Sequence, residues 1–245
     1  MVQVRFIGSG DAFGSGGRFN TCFQVSHDAG CCLIDCGASS PVALRAFGVD
    51  PNAIDTIFLT HLHGDHFGGV PFLLLDARIA SRRERPLLIA GPPGTEKRVT
   101  DTLECLFPGA GGKEYRFPLE YVELRDGETL RHGPYAVTPF PATHQAGAPC
   151  YALRLEVGGK TVSYSGDGAW SEGLIGAGRN ADLFIAETYF YDKKLGGHMD
   201  YATLAARLPE IAAKRVILTH FGPDMLGRLA GFPVETAEDG KTIEL

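Results

Sequence analysis

The feature that most constrains this chain is the segment His61-Leu62-His63-Gly64-Asp65-His66, which directly follows an apolar, β-rich run ending at Thr60. Three imidazoles and one carboxylate therefore lie in one tight turn, and Gly68-Gly69 open a predicted helix just after it. Neighbouring side chains in a turn can point to different sides, so these donors can serve two metal ions a few ångströms apart. Histidine nitrogen and carboxylate oxygen are ligands that zinc accepts at roughly 2.0–2.2 Å.

Four donors do not complete two metal sites, so we expect the rest of the chain to supply more. Three candidates each follow a predicted strand: His144, Asp167 in Ser165-Gly166-Asp167, and His220. Ligand residues at the carboxyl ends of strands commonly meet at one edge of an α/β sheet. We predict that Asp167 and a water bridge the two ions. The predicted ligands of one ion are His61, His63 and His144, and those of the other are Asp65, His66 and His220.

The chemistry of these donors favours a catalytic metal site over a structural one. Structural zinc sites are closed and usually rich in cysteine, whereas this set has no sulfur and leaves room for a water. Two adjacent cations stabilise the attacking and leaving oxygens of a displacement and lower the pKa of bound water. Because the set is rich in nitrogen, we predict two Zn²⁺ ions, with Mn²⁺ or Fe as the alternatives.

Composition excludes several other classes of protein. The chain has 245 residues with 23 Lys+Arg against 29 Asp+Glu, a formal net charge of -6. An acidic balance argues against a surface that grips nucleic acid throughout. No apolar run approaches the roughly 18–20 residues of a membrane-spanning helix, and the N-terminus lacks a secretory pattern, so we expect a cytoplasmic protein. Six cysteines without a secretion signal indicate reduced thiols, and the apolar strand-like run around Cys31, Cys32 and Cys36 indicates that these three are buried.

The order of apolar runs and turns predicts one α/β domain spanning residues 1–245. Hairpin signals occupy the middle of the chain, and helices recur at intervals on either side. The pattern predicts helices over 69–80, from Gly94 to about Leu106, and over 201–213, the last interrupted by Pro209. No linker, low-complexity tract or long charge run divides the chain.

With these motifs in place, the sequence resembles the metallo-β-lactamase superfamily, and within it the ribonuclease Z-like branch of phosphodiesterases. The segment 61–66 with its distant His, Asp and His is the hallmark of the superfamily, and the resemblance covers nearly the whole chain. It also includes Phe6-Ile7-Gly8-Ser9-Gly10, Ile34-Asp35-Cys36-Gly37 and Gly197-His198-Met199. The resemblance implies a four-layer αββα sandwich with the dinuclear site at one edge of the two sheets.

The resemblance also implies roles for residues beyond the ligands. His198 matches a histidine that contacts the scissile phosphate and would protonate the leaving group, and Glu187 matches the carboxylate that orients it. A histidine beside a carboxylate keeps its proton and can direct it at a departing oxygen. Asp65 would orient the metal-bridged hydroxide that attacks phosphorus. The predicted catalytic residues are Asp65, His198 and Glu187.

One departure from the ribonuclease pattern bears on the substrate. Ribonuclease Z carries a long Gly/Pro-rich arm that clamps tRNA between the third histidine and the bridging aspartate. Here only a short stretch with a Gly158-Gly159 hairpin separates His144 from Asp167. We therefore expect a small or cyclic phosphodiester as substrate rather than tRNA.

Two alternatives remain open on sequence alone. A carbonyl hydrolase of the same fold, acting on a lactone, thioester or β-lactam, uses the same ligands. A non-catalytic metal-binding scaffold would be expected to have lost ligands, and this chain has kept them. By analogy with the family, a homodimer is also open.

Overall fold

A seven-stranded and a six-stranded mixed β-sheet form the centre of the protein. The computed structural model describes all 245 residues. The first sheet runs in the order β13-β1-β2-β3-β4-β5-β6 and the second in the order β12-β11-β10-β9-β8-β7. The strands of the first sheet are β1 (Gln3–Gly8), β2 (Cys22–His27), β3 (Gly30–Ile34), β4 (Thr56–Phe58), β5 (Leu87–Gly91), β6 (Leu119–Glu123) and β13 (Thr242–Glu244). Those of the second are β7 (Leu130–His132), β8 (Tyr135–Pro141), β9 (Tyr151–Val157), β10 (Lys160–Tyr164), β11 (Leu183–Glu187) and β12 (Val216–Thr219).

Helices cover the outer face of each sheet. Against the first sheet lie α1 (Ser40–Ala46), α2 (Gly64–Phe67), α3 (Val70–Ile79) and α4 (Thr95–Leu106). Against the second lie α5 (Glu172–Gly178), α6 (Tyr201–Ile211) and α7 (Pro223–Leu226). The layers are therefore α/β/β/α, and the fold expected from the metallo-β-lactamase resemblance is confirmed.

Successive side chains of the inner strands explain why the layers stack. In β3, Leu33 packs in the cluster under α1, α3 and α4, while Ile34 packs in the cluster between the two sheets. In β4, Ile57 packs in the cluster under the helices, and Phe58 packs in the cluster between the two sheets. Adjacent strand residues point to opposite faces, so a run that is apolar throughout is buried on both sides.

One sequence prediction of local structure was wrong, and one short helix was not predicted. Pro209 does not interrupt its helix, because α6 continues to Ile211 and ends at Ala212 in the left-handed conformation. The proline lies in the last turn, where it removes one hydrogen bond, while Leu204 and Ile211 stay buried in the core. The short helix α5, between β10 and β11, was not predicted, since its Gly-rich sequence carries little helical signal.

The cysteines are free, as the sequence indicated. Cys22, Cys32, Cys36 and Cys150 are buried. Cys31, predicted to be buried with Cys32 and Cys36, is only partly buried, and Cys105 is exposed on α4.

The topology brings several strand ends to one edge of the molecule. β4 parallels its neighbours β3 and β5 in the first sheet, and β10, β11 and β12 run parallel in the second. The carboxyl ends of β4, β10 and β12 lead directly into His61, Asp167 and His220. No helix in the structure combines the length and apolar character needed to cross a membrane.

Candidate dinuclear metal centre

Three histidines, here called the first donor set, converge from two separate loops. His61 and His63 follow β4, and His144 follows β8. Their ligand atoms lie within 4.8 Å of one another. The Nδ1 of His63 is 3.1 Å from the Nε2 of His144, and the buried Nε2 of His61 has no hydrogen-bond partner. The structure thus gathers imidazole nitrogens that the protein itself leaves poorly satisfied. The first donor set is His61, His63 and His144.

The second donor set adds two carboxylates to two histidines. Its members are Asp65, His66, Asp167 and His220, all within 4.8 Å by their ligand atoms. The Nε2 of His66 is 3.3 Å from Oδ2 of Asp65 and 3.2 Å from Oδ2 of Asp167. The Nε2 of His220 lies 3.3 Å from each of the same two oxygens.

These spacings fit divalent metal ions. Four ligands placed tetrahedrally at zinc's bond lengths stand roughly 3.3 Å apart. The five separations given above, from 3.1 to 3.3 Å, fall close to that value. Two aromatic nitrogens facing each other at 3.1 Å, as in His63 and His144, repel unless a proton or a cation lies between them. The nitrogen and oxygen donors, together with the orphaned Nε2 atoms of His61 and His66, suit a dinuclear divalent centre.

The surroundings shift the pKa values of the histidines in the two donor sets in opposite directions. Burial lowers the pKa of all three histidines in the first donor set. In the second, burial acts in the same direction, but the Asp167 and Asp65 carboxylates outweigh it and raise the pKa of His66 and His220. Burial opposes ionisation of Asp167 and Asp65, yet the facing histidines hold the pKa of both carboxyls well below the ordinary range. The second donor set is therefore strongly attractive to positive charge.

His220 is held in an unusual backbone conformation. Its φ is 60°, in the left-handed region that non-glycine residues rarely adopt. Its N–H donates to the carbonyl of Ser9 at 3.1 Å, and the Thr219 hydroxyl donates to the same oxygen at 3.2 Å. Strain of this kind persists where the surroundings fix it, typically at functional sites.

Asp35 has a role that sequence reasoning did not assign. It is fully buried, and its Oδ2 lies 2.7 Å from Nδ1 of His66. The N–H and hydroxyl of Thr60 also donate to this carboxylate, both at 2.8 Å. Asp35 thus fixes the ring of His66 with its Nε2 aimed at the second donor set, as supporting groups of metal ligands do. An aspartate directly after a buried apolar strand was the available signal.

Glu187 and His198 pair beside the donor sets. The carboxylate Oε1 of Glu187, at the end of β11, contacts Nδ1 of His198, and its Oε2 accepts a 2.6 Å hydrogen bond from the Gly168 N–H. Burial and the Asp167 charge raise the pKa of Glu187 well above its ordinary value. The preceding Gly197 has φ of 97°, and its carbonyl lies 2.5 Å from Nδ1 of His144. The loop that carries His198 therefore also orients a member of the first donor set.

The donor sets open onto a cavity of about 420 Å³. His63, Asp65, His144, Asp167, His198 and His220 contribute to its lining. All nine predicted site residues lie in the clusters around this cavity. Asp167 belongs by distance to the second donor set, so its bridging role stays a prediction. His27 and His132 lie outside these clusters.

Fold and site define the class: the protein is a metallo-β-lactamase-fold, ribonuclease Z-like, metal-dependent hydrolase. Ribonuclease Z of Methanosarcina acetivorans is 24% identical over 272 aligned residues, covering 90% of this chain and 87% of that protein. The short form of human tRNase Z is 25% identical with a TM-score of 0.79, covering 99% and 98% of the two chains. The Bacillus subtilis metallo-β-lactamase-fold protein YhfI has the same fold, with a TM-score of 0.80, 24% identity and full coverage of both chains.

The family is narrower than that class. The model of the family described as Anti-Pycsar protein Apyc1 matches residues 2–231. The chain belongs to this family.

Proposed function

We propose that the protein is a dinuclear-metal-dependent phosphodiesterase acting on small or cyclic phosphodiesters. The observation that carries this proposal is the Glu187–His198 pair, whose histidine lines the same cavity as members of both donor sets. Hydrolysis of a carbonyl substrate needs the metal-activated water but no separate group to meet phosphate oxygens. A histidine supported by a carboxylate supplies such a group.

The first and second donor sets would hold the two ions, which we propose to be Zn²⁺. When bound, the ions supply positive charge to the phosphate oxygens and lower the pKa of water toward neutrality. Asp65 offers a carboxylate oxygen on the cavity wall, where it can accept a hydrogen bond from the attacking water and orient it. Asp167, shared by distance between His66 and His220, would complete the bridge between the ions.

His198 would act on the substrate as hydrogen-bond donor and general acid. Its Nδ1 faces Glu187, so its Nε2 is the ring nitrogen left for a ligand. With Nδ1 turned to Glu187, Nε2 would carry the proton that the departing oxygen takes. In the reaction, the attacking water would release one proton to solvent as its oxygen bonds to phosphorus. One P–O ester bond would break, and the departing oxygen would take the proton from Nε2 of His198. Glu187 is a positioning residue in this scheme.

The size of the cavity and the short chain segments around it support a small substrate. A cavity of about 420 Å³ is in the range of small-molecule sites. Between His144 and Asp167 the chain forms only the tight β9–β10 hairpin, so no long segment projects there to grip an RNA. The formal net charge of -6 also disfavours a polyanion.

A parallel assay of metal-loaded protein tests this function. Bis-p-nitrophenyl phosphate and cyclic nucleotides would be compared with nitrocefin, a lactone and a thioester. We expect turnover of the diesters and little of the carbonyl compounds. Faster turnover of a carbonyl substrate would reject the phosphodiesterase proposal, and metal-replete protein inert towards every compound would indicate a binding scaffold.

We also propose that residues 1–245 act as one hydrolase domain. A cytoplasmic location and a homodimer stay predictions.

A further inference from the structure

Phe13 is the most exposed of the large apolar side chains, at 82%. It lies in the loop after β1 and lines the same cavity as the two donor sets. A single exposed apolar side chain is ordinary on a protein surface. Phe13 differs in two respects: hydrogen bonds to a buried carboxylate fix the backbone of its loop, and a second aromatic side chain lines the same cavity.

A buried carboxylate fixes the loop that presents Phe13. Asp11 is fully buried, and its Oδ1 accepts hydrogen bonds from the N–H groups of Phe13 at 3.1 Å and Ser15 at 2.9 Å. The Ser15 hydroxyl donates to Oδ2 at 2.7 Å, and the Asn20 side-chain amide donates to the Asp11 carbonyl at 2.7 Å. A glycine-rich segment would otherwise be mobile. These bonds fix the backbone of the loop that carries Phe13, while its ring stays exposed.

Tyr189 provides a second aromatic group on the same cavity. Its ring lies 5.0 Å from that of His198, and Gly222 packs so closely against it that a Cβ there would lie 2.8 Å from the ring. Burial, followed by the nearby Asp11 carboxylate, raises the pKa of Tyr189. Asp11 thus contacts both the loop of Phe13 and the tyrosine. The cavity therefore combines the two donor sets and His198 with a solvent-facing aromatic ring on a loop whose backbone is fixed.

We propose that Phe13 is a specificity-determining residue that stacks on a planar aromatic ring of the substrate, such as a nucleobase, while the phosphodiester sits at the donor sets. This inference rests on the proposed phosphodiesterase function. Stacking of a base on an aromatic side chain tolerates different bases, because each has a π-face. Phe13 would thus favour ring-bearing diesters over alkyl or sugar diesters.

A matched pair of substrates isolates this effect. Adenosine 3′,5′-cyclic phosphate and methyl riboside 3,5-cyclic phosphate differ only in the base. In the wild-type protein we expect a lower KM for the base-bearing compound. Phe13→Ala should reduce that advantage about tenfold, equivalent to about 1.4 kcal/mol, and Phe13→Tyr should retain it. An unchanged KM ratio in Phe13→Ala would overturn the proposal.

The control variant is Ile79→Ala, which removes another exposed apolar side chain, 63% exposed on α3 and outside the cavity lining. It should leave the KM ratio unchanged. A loss equal to that of Phe13→Ala would show that the effect is not specific to the cavity.

A binding measurement separates failure of this inference from failure of the proposed function. Trp170 is the one tryptophan, so Phe13→Trp in a Trp170→Phe background places the only indole at the cavity mouth. Adenosine 5′-monophosphate should quench its fluorescence saturably, and ribose 5-phosphate should not. If the wild-type protein hydrolyses neither cyclic compound, quenching alone decides: its presence supports stacking, and its absence overturns it. The phosphodiesterase proposal itself fails only if bis-p-nitrophenyl phosphate is not hydrolysed either.

Discussion

The two donor sets differ in charge, burial and support. The first donor set consists of imidazoles alone, and two of its members, His63 and His144, are only partly buried. The second has two carboxylates and lies almost wholly inside the protein. Because attraction between charges strengthens out of water, the second set should bind its ion more tightly. The first set would complete the centre next to the substrate.

The groups that hold the two sets differ as well. Asp35, a buried carboxylate, supports His66 in the second set. In the first set, His144 is supported by the carbonyl of Gly197, in the loop that carries His198. The second set is thus anchored to the buried core of the fold, whereas the first is anchored to the loop that carries His198. Four substitutions test this contrast, beginning with the largest expected effect.

Asp167→Ala should lower turnover by about three orders of magnitude. It removes the carboxylate that faces both His66 and His220, and metal ions supply several kcal/mol of transition-state stabilisation. Metal analysis should show loss of the ion at the second donor set. Asp126→Ala, an exposed aspartate outside the clusters, is the control. Full metal content and near-normal turnover in Asp167→Ala would remove Asp167 from the centre.

His198→Ala should lower turnover about 100-fold with both ions retained, because the residue acts on the substrate rather than on the metals. Steady-state kinetics with bis-p-nitrophenyl phosphate and metal analysis of the same sample give the two readouts. His132→Ala, a histidine on β7, is the matched control and should behave as the wild type. If His198→Ala turned over normally, the residue would have no part in the reaction.

Asp35→Asn should weaken the ion at the second donor set by about tenfold and leave the first unaffected, because loss of a supporting carboxylate typically costs 10–100-fold in metal affinity. Asparagine tolerates the left-handed conformation of this position, where φ is 58°. Competition with a zinc chelator would measure the two affinities. Equal weakening of both ions would contradict the separate anchoring of the sets.

Glu235→Gln should have the smallest effect, below about 1 kcal/mol in the free energy of unfolding at pH 7, since its ion pairs are partly exposed. Hydrogen bonds from Arg215 and Lys241 lower the pKa of Glu235 from 4.5 to about 2. A lowered carboxyl pKa stabilises the fold above pH 4.5, and this contribution disappears as the pH falls towards 2.

Denaturant titrations of wild type and Glu235→Gln should therefore differ at pH 7 and converge at low pH. The ion pair lies at the start of β12, whose other end leads to His220. Metal content should nevertheless be unchanged, which would show that the donor sets do not depend on surface charge. A difference in stability that grows as the pH falls would contradict the assignment.

Much of the fold was predictable, because runs such as Ile57-Phe58 and Ile217-Leu218 are apolar on both faces and end in Thr-His. The same runs indicated which donors could meet. The path of α6 through Pro209 was not predictable, since burial of Leu204 and Ile211 outweighs the local preference of proline. Asp35 and Asp11 were missed as supporting groups, because their roles arise from contacts with residues distant in sequence or from loop geometry that no motif records.

The most direct measurement is anomalous scattering at the zinc edge from crystals grown with Zn²⁺. We predict two peaks per chain, one among His61, His63 and His144 and the other among Asp65, His66, Asp167 and His220. Absence of any peak at these residues, or a single ion bound elsewhere in the chain, would contradict the account.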